Sequence, residues 1–160
     1  MMISPGSAVP SGWSSATYNP NGTTTVGGGS ITVNGAHAFS TNTYAPGTSI
    51  EFVATFTSGT FQNIGFTSDQ EYNTSPWVTI GRTNEPDGSL LARASDGTSV
   101  NLGTNLIGAP HRYRISWNET NFQFLVDGNT VFSANINMTV RYQHVFANKR
   151  FHPCRRGHCL

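Results

Sequence analysis

Eight carboxylates are the residues to question first, because paired carboxylates cut glycosides and clustered ones hold cations. A retaining glycosidase needs two of them about 5–5.5 Å apart across the bond it breaks. Asp69 and Glu71 stand two apart in SDQEY and could share a face of an extended chain. Ser, Asp, Asn and Thr surround them, so surface turn positions are the plainer reading. Glu85 and Asp87 flank Pro86 and precede Gly88, and NEPDG is a turn by its chemistry. Glu51 alternates away from Ile50 and Phe52, toward solvent or a concave sheet face. Calcium wants about six to eight oxygens. Asp69, Asp87 and Asp96 qualify by type alone, so a structural calcium is compatible with the chain and no other cofactor is expected. Cys154, Cys159, His152 and His158 are metal-ligand types, but they crowd into HPCRRGHC without the separated ligand pairs of a zinc site. Free thiols or one disulfide is the plain reading. Gly27-Gly28-Gly29 precedes neither a helix nor a Lys, so it is a turn and not a phosphate loop.

Recognition of sugars asks for other residues. An aromatic ring packs against the C–H face of a pyranose, and amides, Arg and Asp satisfy its hydroxyls. The chain carries three Trp, five Tyr and ten Phe. Trp77 follows Pro76 in the polar stretch EYNTSPW and is the leading stacking candidate, with Tyr72 beside it. Gln62 in FQNIGF and Arg82 after the Trp77 strand are the polar candidates. Arg93 in LLARAS is similar, though a lone strand Arg is ordinarily solvated. Trp117 shares a face with Tyr113 and Ile115, and Phe52 with Phe56, so these belong to the core.

Composition narrows the class. At 160 residues the chain is one domain, long enough to bury a core. Only 11% of residues are charged, and the formal net charge is +1, so nothing points to nucleic acid or acidic lipid. A polar, uncharged surface suits an extracellular or cell-surface β-protein. No run is apolar enough to span a membrane, and MMISPGSAVPSGW lacks the regions of a signal peptide. Residues 1–140 hold four basic and eight acidic residues, a formal charge of −4, with no Lys or Cys. Residues 141–160 hold five basic residues, both Cys, three His and no acid. The division expected is therefore a lead-in over 1–12, a domain over 13–140, and an atypical basic tail over 141–160, frame-shifted or junction-derived.

No segment repeats apolar residues with helical spacing, and Gly and Pro interrupt often. Strands are expected at Ser30–Asn34, His37–Ser40, Ser49–Thr57, Phe61–Thr67, Trp77–Arg82, Ser89–Ala94 and Thr98–Gly103. His111 to Val131 alternates through two strands and meets Asp127-Gly128, a pair that tolerates positive φ in a hairpin turn. Roughly nine to eleven short strands with turns between them predict an antiparallel sandwich or barrel.

HRYRISW followed by FQFLVDG resembles the H-x-Y-x-I-x-W … F-x-F-x-V-D-G hairpin of the concanavalin A-like lectin/glucanase sandwiches, which include LamG-like modules and family 16 glycoside hydrolases. GGSITV looks like the entry strand of that jelly roll, and YAPGTSIEFVATF resembles its Y-x-x-G-x-x-E-F-x-A-x-F strand. The similarity spans about residues 13 to 136. It implies an all-β, two-sheet antiparallel jelly roll. Family 16 enzymes set their carboxylates on one strand as E-x-D-x-(x)-E. The equivalent strand here, Trp77-Val78-Thr79-Ile80-Gly81, offers Trp, Thr and Gly instead. The expectation is a non-catalytic carbohydrate-binding or adhesion module of a larger protein. Its partners would be a polysaccharide or glycan and neighbouring domains, with no nucleic acid and no membrane insertion. The alternatives are a diverged family 16-like hydrolase using Glu51, Glu71 or Glu85, and a structural spacer. The family closes with another strand after its V-D-G hairpin, and the basic tail departs from that pattern. One sheet should then lack a strand and leave an edge open.

Overall fold

Alternating apolar and polar residues, broken by Gly and Pro, favour strands over helices in this chain. The computed structural model describes residues 9–28, 30–68, 74–139, 141–147 and 150–153. Fourteen strands occur among them. They are β1 (Trp13–Thr17), β2 (Thr23–Gly27), β3 (Ser30–Asn34), β4 (Ala36–Tyr44), β5 (Ser49–Ala54), β6 (Gln62–Thr67) and β7 (Val78–Arg82). The later half adds β8 (Leu90–Ala94), β9 (Ser99–Gly103), β10 (His111–Trp117), β11 (Phe122–Val126), β12 (Asn129–Ala134), β13 (Arg141–Ala147) and β14 (Arg150–Pro153). Two sheets of seven result. The first runs β1-β4-β13-β6-β7-β8-β9, the second β12-β11-β10-β5-β14-β3-β2, and the named strands of both pair antiparallel. This is the expected jelly-roll sandwich. The short strand expected at His37–Ser40 is instead the nine-residue β4.

The core lies between the sheets. Ala36, Ala38, Ile64, Phe66, Val78, Ile80 and Leu90 enter it from the first sheet. Ile31, Val33, Ile50, Phe52, Tyr113, Ile115, Phe122 and Phe124 enter from the second. Aromatic contacts bridge the layers. The Phe66 ring lies 5.5 Å from Trp117, which stacks on Phe122 at 5.3 Å. Tyr113 stacks on Phe52 at 5.5 Å and meets Phe56 edge-on at 5.2 Å. Such pairs add roughly 0.5–1.5 kcal/mol each beyond area burial. The assignment of Trp117, Phe52 and Phe56 to the core holds.

The Asp127-Gly128 turn carries positive φ at both residues, 49° and 85°, as a two-residue hairpin loop requires. Asp127 then ties the turn to β10. Its Oδ1 accepts from the Arg112 N–H at 2.9 Å, and its Oδ2 lies 2.7 Å from His111 Nδ1. The Arg112 N–H first, and His111 second, hold the Asp127 carboxyl below its ordinary value.

The basic tail takes an unexpected place. β13 fills the centre of the first sheet, between β4 and β6, and β14 pairs with β3 and β5 in the second. The open edge expected of a chain whose sheets end before residue 141 is therefore not the arrangement adopted. A reading from charge alone misses this, because a strand needs a backbone slot before it needs an apolar face.

Three outcomes are expected. A chain truncated after Val140 leaves the facing edges of β4 and β6 without the strand between them and loses cooperative thermal unfolding or solubility; calorimetry on the truncated and full chains checks this. Gly65→Ala would drive its new Cβ into the Val78 carbonyl and cost about 3 kcal/mol, read by urea denaturation. A depressed folded-state pKa gives Asp127 a contribution that exists above the unfolded carboxylate value and fades as pH falls through the folded one. Because its side chain is half-exposed, Asp127→Asn should cost about 1 kcal/mol or less at about pH 7 and near nothing at about pH 2, measured by denaturation at both.

Candidate functional site

Val78 and Ile80 are fully buried toward the core, so alternation turns Trp77, Thr79 and Gly81 to the outer face of the first sheet. Register sets their neighbours. Gly65 of β6 and Arg93 of β8 lie opposite Thr79, and Asn63 of β6 lies opposite Gly81. A Cβ at residue 81 would land on the Gln62 carbonyl oxygen and on Asn63 Oδ1, so the position admits only Gly. Arg93 uses this bare backbone as a crossing. Its chain starts on β8, spans β7, and donates from Nη2 to Asn63 Oδ1 at 2.7 Å. On the way its guanidinium carbon lies 5.8 Å from the Trp77 ring centroid, within cation–π range. Its Nη1 lies 4.0 Å from Glu85 Oε1. Glu85 Oε2 in turn accepts from the Thr83 N–H at 2.7 Å.

Trp77 is held through its backbone. Its N–H donates to Ser95 Oγ at 3.1 Å, and its carbonyl accepts from the Ser95 N–H at 3.0 Å. These bonds extend the β7–β8 ladder one step and leave the ring half-buried. Across the sheet, His37 and Phe39 of β4 alternate with core residues Ala36 and Ala38, so they share the outer face. Their rings meet edge-on at 5.6 Å, and half-exposed Tyr18 meets His37 edge-on at 6.5 Å. The face thus combines aromatic rings with the Asn63 amide, the Arg93 guanidinium, the Glu85 carboxylate and Thr79, with His37, Phe39, Asn63 and Thr79 buried. Arg93 and Glu85 offset each other in charge. Such a surface stacks on apolar ring faces and hydrogen-bonds hydroxyls.

The sequence candidates divide. Trp77 lies on this face. Gln62 and Arg82 do not, and the expectation that they face the cleft is corrected. Both share the inward face with core residues, Gln62 with Ile64 and Phe66, Arg82 with Val78 and Ile80, and they are 0% and 6% exposed. They fasten the loop before β6. Gln62 Oε1 accepts from the Thr57 N–H at 3.1 Å, and its Nε2 donates to the Thr57 and Gly59 carbonyls. Arg82 Nη1 donates to the same two carbonyls at 2.7 and 3.2 Å. The loop ends at Phe61, which is 47% exposed and left-handed at φ 56°. The polar side chains that register places on the outer face beside β7 are instead Asn63 and Arg93. The signal was the buried Ile64/Phe66 and Val78/Ile80 pattern, which assigns each its face.

Tyr72, Asp69 and Glu71 lie outside the described residues, as do Cys154, His158 and Cys159. Glu51 faces outward from the second sheet, 3.5 Å from Arg112 and 3.8 Å from Arg114, so it does not join Glu85. Asp87 and Asp96 cap their own turns. Asp87 accepts from the Ser89 hydroxyl at 2.7 Å and N–H at 3.0 Å, and Asp96 from the Thr98 hydroxyl at 2.6 Å and N–H at 2.9 Å. Those bonds, the hydroxyl first in each case, lower both carboxyls. Among the described residues no three of His, Cys, Asp and Glu gather into a metal-binding group.

No protein-family model and no curated protein matches the sequence. Solved structures do match in shape. A β-glucanase from Bacillus licheniformis superposes with a TM-score of 0.62 at 16% identity, over 94% of this chain and 84% of its own. A glycosyl hydrolase family protein from Mycobacterium fortuitum gives 0.67 at 13%, over 92% and 84%. A Bacteroides ovatus GH16 protein from a mixed-linkage glucan locus, in complex with a G4G4G3G product, gives 0.62 at 13%, over 84% and 79%. The chain therefore has the jelly-roll sandwich fold that these structures share.

Proposed function

We propose that the outer face of the first sheet binds a polysaccharide of the β-glucan class and holds it without cutting it, as one module of a larger extracellular or cell-surface protein. The observation that carries this is the outward series of β7. Trp77 supplies a stacking surface and Arg93 and Asn63 supply hydrogen-bonding groups, while Thr79 and Gly81, the other outward positions of β7, carry no acid. Gly81 sits where a side chain would strike backbone, so no acid fits there without moving β6. Glu85 is already engaged by Arg93 and the Thr83 N–H. The neighbours named above support the substrate class, since they are a β-glucanase, a glycosyl hydrolase and a glucan-bound GH16 protein.

Those same neighbours favour a second reading, a diverged family 16-like hydrolase acting on β-glucan. Glu85 would be its first acid, and Glu71 is the other candidate nearest to β7 in sequence. One assay separates the two. The full chain is run through gels containing laminarin or mixed-linkage β-glucan, and reducing ends are counted in parallel. Retardation without new reducing ends is expected. New reducing ends that vanish in Glu85→Gln would establish the hydrolase. A folded chain that neither binds nor cuts would leave a structural spacer. Trp77→Ala should weaken retention about tenfold or more while the melting temperature barely moves, because the ring is half-exposed.

A further inference from the structure

Among the described residues, two large hydrophobic side chains stand in the open, Tyr18 at 51% and Phe61 at 47% exposure. Single apolar residues on a surface are ordinary, but these two share one line of the sheet. Ala16, His37, Phe146, Asn63 and Gly81 pair in turn across β1, β4, β13, β6 and β7. Two residues from that row, toward one end of the sheet, come Tyr18, Gly35, Phe61 and Thr83. The ladders reach them: the Tyr18 N–H donates to the Gly35 carbonyl at 3.2 Å, and the Phe61 N–H to the Thr83 carbonyl at 3.1 Å. Tyr18 and Phe61 therefore mark one end of the first sheet, three strand spacings or about 14 Å apart. Tyr18 lies on the outer face, where its ring meets His37 edge-on. Phe61 stands two residues before outward-facing Asn63, and its exposure turns the ring away from the core.

Phe61 is held there against its backbone preference. A bulky residue at φ 56° occupies a rare state that persists only where its surroundings enforce it. Gln62 and Arg82 brace the loop that ends at Phe61, donating from within to the Thr57 and Gly59 carbonyls. Two buried polar side chains and a strained backbone thus hold up one exposed ring.

We propose that Tyr18 and Phe61 form a second glycan track, a two-ring platform across this end of the sheet that takes one chain of neutral β-glucan. This rests on the glycan reading above and adds contacts remote from Trp77, which lies six residues back along the chain from Thr83, about 20 Å away. An aromatic ring packs on the apolar face of a sugar. Two separated rings suit a polymer that offers such a face at every unit, whereas a protein partner covers a contiguous apolar patch. The setting agrees. SSATYNPNGT and TSGTFQN, the stretches around the two rings, carry amides and hydroxyls and no charged residue. Neutral sugar hydroxyls find their hydrogen-bond partners in such groups.

The test uses Tyr18→Ala, Tyr18→Phe and Phe61→Gly in the full chain, with Trp77→Ala beside them, in gels containing laminarin or mixed-linkage β-glucan. Tyr18→Ala and Phe61→Gly should each weaken retention about fivefold, the worth of one stacked ring, and the double variant more than either. Tyr18→Phe keeps the ring and should bind as the parent does. Phe61→Gly should melt at or above the parent's temperature, because Gly adopts positive φ without strain. Parent-like retention in Tyr18→Ala and Phe61→Gly, with Trp77→Ala weakened, overturns the track and leaves the Trp77 reading standing. A lowered melting temperature in Phe61→Gly also overturns it, since the ring would then serve the fold. So does a loss in Tyr18→Phe equal to that in Tyr18→Ala, which would leave the ring no part in binding. Self-association of the parent, seen by sedimentation and lost in the double variant while glucan retention is unchanged, would make the row a contact between protein copies and overturn the proposal. A parent chain retained by neither glucan overturns the track and the glycan reading together.

Discussion

The approach of β6 to β7 is the constraint on which the outer face depends. At Gly65 and Gly81 a single added carbon would strike the facing backbone. Their bareness lets an arginine from β8 cross the intervening strand and bond to β6. With side chains at those positions the strands would separate, Arg93 would lose its path, and Trp77 would lose the guanidinium beside it. The chemistry of this face is thus set as much by two absent side chains as by those present.

Few charges remain for the rest of the molecule, and several of them have a defined task. Arg82 is buried and spends its donors on two loop carbonyls. Asp87 and Asp96 close turns, Asp127 closes a hairpin, and Glu51 lies between two arginines on the second sheet. Paired surface charges of this kind contribute little stability each. The fold rests on its aromatic layer instead, where Phe66, Trp117 and Phe122 join the two sheets. Low charge therefore follows from an architecture that uses hydroxyls and amides for solvation and carboxylates for local geometry.

Much of this was legible in the sequence, for identifiable reasons. The β10–β11 hairpin could be read because period-two alternation and Asp127-Gly128 agree on one register. β7 could be placed because Val78 and Ile80 bracket Thr79. Gln62 and Arg82 misled because polar residues in strands suggest an outward face, whereas these two satisfy loop carbonyls from within. Asn63 gave no signal by type; only its register with Gly81 and its bond to Arg93 reveal it. β4 was underestimated because its Ser-Thr-Asn-Thr stretch lacks apolar alternation and is held by two neighbouring strands. The place of β13 was invisible for a related reason. Composition describes side chains, but a central strand is recruited by unpaired backbone.

That late strand ties folding to the order of synthesis. β13 pairs with β4 across roughly a hundred residues of sequence, and β14 reaches back still further to β3. Neither sheet can close around the halves already made until these residues have left the ribosome. Until then β4 and β6, and β3 and β5, present facing rows of unpaired amides. Pairing so remote in sequence is slow, because loop closure precedes its reward. The nascent chain must therefore hold two open seams through most of its synthesis, and the same feature that finishes the sandwich sets the window in which it is most exposed to wrong partners.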